Sequence, residues 1–220
     1  MCVKHFFSAI CFSSVVFATG AICQEAKRQC LYDFEADRQG WVVESHSSTR
    51  GALSAERSNL KFSSGNYSLK VRLNLAKLPD SLSKGEIRVD LRSFAPGDQL
   101  GPLDLSGRIV KVKVWFPIEF EGEANSPNGV QLFAKSAHTD SRGQEQTRSL
   151  YGIWVDAAGQ SGDWLEMKLL ISDRPSDGIR VESGFDPKSI RYLGVKFGIG
   201  GNTSSKCKFL GDVFVDCVSW

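Results

Sequence analysis

The fold is decided by Arg191-Tyr-Leu-Gly-Val-Lys-Phe-Gly-Ile199 and, a short polar segment later, Gly211-Asp-Val-Phe-Val-Asp-Cys-Val-Ser219. Both stretches alternate apolar residues with polar or small ones, which is the pattern of strands buried on one face. The second stretch runs to the end of the chain, so its edge needs a neighbouring strand. We expect segment 31–36 to be that neighbour, which would bring Asp216 near Glu35 and Asp37.

The same alternation continues through most of the chain and predicts about ten short strands. Turn-rich pieces separate them, and no segment keeps a helical period beyond a turn or two. This pattern is typical of an antiparallel β-sandwich, an all-β fold. Because 41% of the 220 residues are apolar and no linker interrupts the pattern, we expect residues 30–220 to form a single domain. The expected strands are 31–36, 41–45, 60–62, 67–75, 86–92, 109–116, 130–135, 151–156, 164–170, 190–199 and 212–219.

The first 23 residues are typical of a secretory signal peptide. A weakly basic start is followed by an apolar run from Phe6 to Phe17, and small residues then allow cleavage after Gly20 or after Cys23. The run is too short for a membrane anchor, and no second apolar span follows. The sequence therefore predicts a secreted or periplasmic protein.

Export makes a disulfide the expected state of the cysteines. Cys30 could pair with Cys207 or with Cys217, Cys207 could pair with Cys217, and Cys23 remains only if cleavage precedes it. A zinc site is not expected, because the chain has no CxxC motif and no paired histidines.

Charge and motifs exclude several functions. The formal net charge is only +2, and without a basic stripe nucleic-acid binding is not expected. The histidines of the mature chain, His46 and His138, lie in no recognisable catalytic motif. Gly198-Ile-Gly-Gly201 is followed by no helix, so it is not a phosphate-binding loop.

Four segments in order carry a resemblance to a known family. They are Phe34-Glu-Ala-Asp-Arg-Gln-Gly-Trp41, Ser64-Gly-Asn-Tyr-Ser-Leu-Lys-Val71, Gly162-Asp-Trp-Leu-Glu-Met-Lys-Leu169 and the closing stretches quoted above. Together they resemble the galactose-binding-like β-sandwich, or jelly roll, of secreted carbohydrate-binding modules, especially the mannan- and glucan-binding kinds. The resemblance covers residues 31–220 and implies fold more firmly than function.

The resemblance also implies a structural calcium ion at the paired terminal strands. Its ligands here would be Glu35, Asp37 and Asp216, with backbone carbonyls of residues 61–66. Calcium takes six to eight oxygen ligands, which carboxylates and carbonyls supply. Asp37 departs from the usual motif of the family, and Asp216 could instead bond backbone amides of the first strand.

Alternation also predicts which side chains of the middle strands point away from the core. Aromatic rings stack on the apolar face of a sugar, and Arg, Asp and Gln bond its hydroxyl groups. In the family this sheet is concave and holds the glycan. The expected glycan-binding residues are Arg88, Asp90, Arg92, Gln131, Phe133, Lys135, Trp154, Asp156 and Lys196.

Three alternatives stay open at this point. The polar loop expected at 136–149 could cover the aromatic residues and make them a small hydrophobic cluster. Glu86 and Asp156 could act as the carboxylate pair of a glycan-cleaving enzyme. The domain could also be an exported scaffold that binds another protein. The preferred prediction is a non-catalytic, exported protein that binds a polysaccharide or oligosaccharide.

Overall fold

The chain was analysed as a computed structural model, which describes residues 30–44, 51–76, 84–94, 102–174, 176–200 and 208–220. Within those ranges it contains one helical turn, α1 (Leu91–Phe94), and one 3-10 turn, Ile118–Phe120. Its strands are β1 (Val42–Val43), β2 (Ala52–Ser58), β3 (Ser68–Ala76), β4 (Lys84–Asp90), β5 (Ile109–Trp115), β6 (Gly122–Glu123), β7 (Ser126–Pro127), β8 (Gly129–Thr139), β9 (Glu145–Tyr151), β10 (Val155–Asp156), β11 (Trp164–Leu170), β12 (Arg180–Val181), β13 (Ile190–Gly198) and β14 (Lys208–Ser219).

The strands form two antiparallel sheets that face each other. The first sheet has the order β1-β4-β13-β8-β9-β12, and β10 adds to β8. The second sheet has the order β11-β5-β14-β3-β2, while β6 and β7 form a separate small ribbon. The two closing stretches of sequence are thus β13 and β14, and each lies inside its own sheet. The predicted all-β antiparallel sandwich is confirmed.

The core lies between the sheets and is built from alternate residues of each strand. The inward side chains of β13, for example Val195 and Phe197, are fully buried, as are Val213 and Val215 of β14. Burying an aliphatic side chain of this size stabilises the folded state by about 1.5–3 kcal/mol. The strict alternation explains why the strand faces could be predicted from sequence.

The expected pairing of the two ends is confirmed, although residues 31–36 do not form a strand. An isolated antiparallel bridge joins Tyr32 to Val218, and the Tyr32 carbonyl accepts a hydrogen bond from the Val218 amide at 3.1 Å. A disulfide joins Cys30 to Cys217, with 4.8 Å between the two Cα atoms. This selects one of the three pairings left open by the sequence. Cys23, Cys207 and the predicted signal peptide lie outside the described residues.

Segments 60–62 and 136–149 also differ from the sequence prediction. The strand expected at 60–62 is instead part of a loop, with Leu60 67% exposed, and the strand is the preceding segment Ala52–Ser58. The loop expected at 136–149 is instead a hairpin, because β8 and β9 stay paired out to Thr139 and Glu145. Both strands are polar on both sides there, so no hydrophobic period marks them. None of the described helices is long or apolar enough to cross a membrane.

Candidate functional site

The outer face of the first sheet carries a row of residues that crosses five strands. Strand register places Arg88, Gly194, Phe133, Tyr151 and Arg180 side by side on β4, β13, β8, β9 and β12. We call this the transverse row. The row has an arginine at each end, with a glycine and two adjacent aromatic residues between them. Two of its members, Arg88 and Phe133, are predicted binding residues.

Phe133 points outward as predicted, but its ring is only 1% exposed and is not an open stacking platform. The ring lies over Gly194, where an added Cβ would stand 2.2 Å from the Phe133 Cζ atom. Its other neighbour is Tyr151, with 6.2 Å between the ring centroids. Phe133 is therefore the floor of this face, and half-buried Tyr151 is the more accessible ring.

The hairpin of β8 and β9 does not fold back over Phe133. It continues the plane of the sheet, with Ala137 opposite Thr147 and His138 opposite Gln146. One alternative left open by the sequence was that segment 136–149 covers the aromatic residues. The structure differs from that alternative, because the segment forms a hairpin that lengthens the sheet.

A second row next to the transverse row holds Glu86, Lys196 and Gln131 on adjacent strands. The Lys196 ammonium lies 3.5 Å from Glu86 and 5.0 Å from the centroid of the Tyr151 ring. Gln131 donates from Nε2 to the Gly152 carbonyl at 2.8 Å. Lys196 and Gln131, both predicted binding residues, thus lie beside Tyr151.

Burial shifts two pKa values in this region. Desolvation lowers the pKa of Lys196, an effect that nearby Glu86 opposes and that Lys84 and Lys135 increase. Desolvation also raises the pKa of the Tyr151 hydroxyl, so Tyr151 is neutral and its hydroxyl is available as a hydrogen-bond donor. Burial is the largest cause of the lowered Lys196 pKa, and the positive charges of Lys84 and Lys135 add to it.

A buried carboxylate that sequence reasoning missed, Glu44, holds two cations of the face. Its Oε2 atom lies 2.6 Å from Arg88 Nε and 3.8 Å from Lys135 Nζ. Arg88 also lies over the Tyr192 ring, with Cζ 4.1 Å from its centroid. Glu44 follows the two-residue strand β1, and so short a strand has no period that could predict the direction of its side chains.

A separate charge cluster lies at the other end of β4. Asp90 pairs with Arg191 at 3.0 Å and with Arg92 at 3.4 Å, and both arginines also pair with Glu145. Arg92 does not continue β4 as the sequence predicted, because α1 begins at Leu91. Asp90 and Arg92 are therefore engaged with protein partners at the margin of the face.

Trp154 and Asp156 do not lie on one continuous strand with Tyr151. The chain leaves the sheet after Tyr151 and rejoins it at β10, where Asp156 pairs with Gly129. Strict alternation along the predicted strand 151–156 would bury Ile153, which is instead 56% exposed. The half-buried Trp154 ring packs on Gly129, where an added Cβ would lie 2.5 Å from its Nε1 atom. Gly129 precedes Gln131 and Phe133 on the same face of β8, so Trp154 does reach the predicted face.

The carboxylate pair considered for catalysis is not assembled. Glu86 and Asp156 lie on β4 and β10, which are separated by β13 and β8. Three strand spacings place their backbones roughly 14 Å apart before the offset along the strands is added. Glycoside hydrolysis needs carboxyl groups about 5–10 Å apart. Glu86 is also buried against Lys196, whereas Asp156 is exposed.

Asp216 is buried on the outer face of the second sheet. Its Oδ2 atom accepts hydrogen bonds from the Ser63 and Ser64 amides and the Ser63 hydroxyl, and its Oδ1 accepts from the Cys217 amide. Burial raises the pKa of this carboxyl, and the hydrogen bonds oppose that shift. The partners come from loop 59–67 and the next residue, instead of from the first strand as the sequence suggested.

Glu35 bonds a different part of the same loop, and Asp37 bonds neither. Glu35 Oε1 accepts from the Asn66 amide at 2.7 Å and the Tyr67 amide at 3.0 Å. These amides lower the pKa of the exposed Glu35 carboxyl. Asp37 is exposed and accepts from the Gln39 amide.

This arrangement does not fit a calcium ion at the three predicted ligands. The groups around Asp216 and Glu35 are N–H and O–H donors, whereas calcium needs oxygen acceptors. Among the described residues no three acidic, histidine or cysteine side chains lie close enough together to hold a metal. The calcium ion stays a prediction, and the two carboxylates have a role without it, because they order loop 59–67.

Similarity to known proteins is seen in comparisons of structure and not in comparisons of sequence. No protein-family model matches the chain, and no curated protein matches its sequence. Solved structures similar to it include the CBM27-1 module of Caldicellulosiruptor saccharolyticus in complex with mannohexaose. That match has 15% identity, a TM-score of 0.49, and coverage of 85% of this chain and 93% of that chain.

Two further similar structures are family 22 carbohydrate-binding modules. The xylan-binding domain from Paenibacillus barcinonensis has 13% identity and a TM-score of 0.41, covering 87% of this chain and 92% of that chain. The C-terminal module from Clostridium thermocellum has 14% identity and a TM-score of 0.40, covering 85% and 88%.

Proposed function

We propose that this chain is an exported, non-catalytic glycan-binding protein, and that the glycan lies on the outer face of the first sheet. The observation that carries the proposal is the transverse row with its neighbours Lys196 and Gln131. One strand face brings together an accessible tyrosine ring, a tryptophan at its margin and several hydrogen-bonding side chains. Sugar rings need this combination, because their C–H faces are apolar and their edges carry hydroxyl groups.

Two features favour export. The first 23 residues have the pattern of a signal peptide, and the disulfide between Cys30 and Cys217 is of a kind that persists in oxidising compartments. Calcium binding would require loop 59–67 to rearrange, because the groups of this loop that face Asp216 and Glu35 are hydrogen-bond donors.

The test is binding of the wild-type protein to a glycan array, followed by titration of the best ligand with variants. Tyr151→Ala and Trp154→Ala should each weaken binding about tenfold or more, because each removes a stacking surface. Trp164→Ala is the matched control, since Trp164 is a half-buried tryptophan on the outer face of the second sheet. A wild type that binds no glycan, or variants that bind as well as wild type, would overturn the proposal.

A further inference from the structure

The cations of the binding face are concentrated around the rings of Phe133 and Tyr151. Lys196 Nζ lies 5.0 Å from the Tyr151 centroid, and Lys135 Nζ lies 5.1 Å from the Phe133 centroid. Arg180 approaches Tyr151 from the edge strand, with Cζ 6.0 Å from its centroid. A ligand lying on Tyr151 would therefore have positive charge on two sides.

The carboxylates of this face lie close to one of its cations and farther from two others. Glu44 is 2.6 Å from Arg88 but 3.8 Å from Lys135, and Glu86 is 3.5 Å from Lys196. Charge-assisted hydrogen bonds between nitrogen and oxygen are usually about 2.7–2.9 Å long. The two lysine pairs are longer than that, whereas the arginine pair is not.

The two ammonium groups therefore keep donors for another acceptor. Each ammonium has three N–H donors, and within the described ranges each of these lysines has a single carboxylate partner. Among the ion pairs of the described residues none involves Arg180, which is exposed. Glu182 lies nearby, but one of its oxygens already accepts the Ser149 amide.

The electrostatic environment of Lys196 agrees with this geometry. Burial and the positive charges of Lys84 and Lys135 lower its pKa, and only Glu86 opposes them. An anionic group placed between the ammonium groups would reduce their mutual repulsion at short range, where solvent screening is weak. A neutral sugar would not.

Resting on the proposed function, we infer that the glycan is acidic, with carboxylate or sulfate groups that pair with Lys135, Lys196 and Arg180 around the rings of Phe133 and Tyr151. The stacked ring gives the sugar its position, and the three cations select for negative charge. Selection for charge on this face is a property that the neutral ligands of similar modules would not require.

The first experiment compares polymers that differ only in charge. Binding to polygalacturonic acid is measured against its fully methyl-esterified form, and binding to chondroitin sulfate against desulfated chondroitin. At least one acidic polymer should bind at least tenfold more tightly than its matched form, because hydrogen bonds to a charged group are stronger than those to a neutral one. The pair that shows the difference identifies carboxylate or sulfate as the recognised group.

The second experiment tests the residues. Arg180→Ala is expected to weaken binding to the acidic polymer severalfold more than it weakens binding to the neutral form. The double variant Lys196→Met with Glu86→Gln removes both charges of the buried pair, so it keeps the balance of charge, and thermal unfolding checks that it folds. It should remove most of the preference for the acidic polymer.

Lys168→Met is the control, since Lys168 is an exposed lysine on the outer face of the second sheet. If Lys168→Met weakens binding as much as Arg180→Ala, the attraction is nonspecific and the inference is overturned. If neutral glycans bind as tightly as acidic ones, the inference fails while the proposed function stands. If no glycan of either kind binds, both fail.

Discussion

At the scale of single residues, Gly194 and Phe133 show how the binding face is built. Gly194 lies in the middle of β13, where a side chain would normally stand out from the sheet, and the Phe133 ring fills that space. The ring is buried even though it belongs to the outer face. The aromatic floor therefore depends on the absence of a side chain on the neighbouring strand.

Replacement of Gly194 by alanine is expected to destabilise the protein by about 1–3 kcal/mol, because the new Cβ would overlap Phe133 and approach the Ile87 carbonyl at 2.5 Å. Urea unfolding measures the change. Gly152→Ala is the control, since a Cβ there meets its nearest atoms at 3.2 and 3.4 Å. Equal stability of the two variants would contradict the close packing of Phe133 on Gly194.

Glu35 gives a prediction about acid. Its pKa is lowered below the usual 4.5 by the Asn66 and Tyr67 amides, so its stabilising contribution is present above that value and is lost as the pH falls through the folded-state pKa. Glu35→Gln should be less stable than wild type at about pH 6, and the difference should shrink as the pH falls below 4.5 and through the lowered folded-state pKa. The contribution of Asp216 to stability should change with pH in the opposite direction, because burial raises the pKa of this carboxyl and so favours its protonated form. A difference between wild type and Glu35→Gln that does not change with pH would exclude this account.

At the scale of elements, the strands with strict alternation could be predicted from sequence and the others could not. β13 was predicted almost to its ends, because one face meets a continuous core, whereas β14 was predicted only from Asp212 although it begins at Lys208. The outer half of the β8 and β9 hairpin was missed, since Ser136–Ser149 places polar residues on both faces. Trp154 was assigned to the correct face, although its strand breaks at Gly152 and its side chain reaches the face by packing on Gly129. Glu44 has no sequence signal, because its position depends on pairing with β4.

The disulfide is the element-scale feature with the largest expected energy. It joins Cys30 to Cys217 across 187 residues, and a loop of that length is expected to restrict the unfolded chain strongly. Replacing both cysteines by serine should lower the free energy of unfolding by about 2–5 kcal/mol. Chemical unfolding with and without a reductant measures this in the wild type. If the reductant leaves the unfolding midpoint where it was, the bridge is absent in solution.

At the scale of the whole molecule, the two outer faces carry different features. The first sheet carries the transverse row, and the second sheet carries buried Asp216 beneath loop 59–67. Loss of the second feature should change stability and leave binding intact. The assignment of residues to the two faces could be predicted from sequence, because the pairing of the chain ends and the direction of strand side chains both follow from alternation. The groups that bond Asp216 could not be predicted, because backbone amides carry no sequence signal.

The calcium prediction is tested on the whole molecule. Because the bonds to Asp216 and Glu35 come from N–H and O–H groups, we expect the thermal unfolding midpoint to be the same with excess calcium and with a chelator. A midpoint that rises by several degrees with calcium would show that loop 59–67 rearranges to bind the ion. Asp216→Asn distinguishes the two cases, because it would abolish a calcium-dependent rise.

The positions of β13 and β14 have a consequence for the rate of folding. Each is an interior strand of its sheet, between β4 and β8 in one case and between β5 and β3 in the other, and each pairs with strands that are distant in sequence. Val215 of β14, for example, pairs with Leu69 of β3. Because the entropy cost of closing such long loops must be overcome before these pairs can form, we expect the domain to fold slowly.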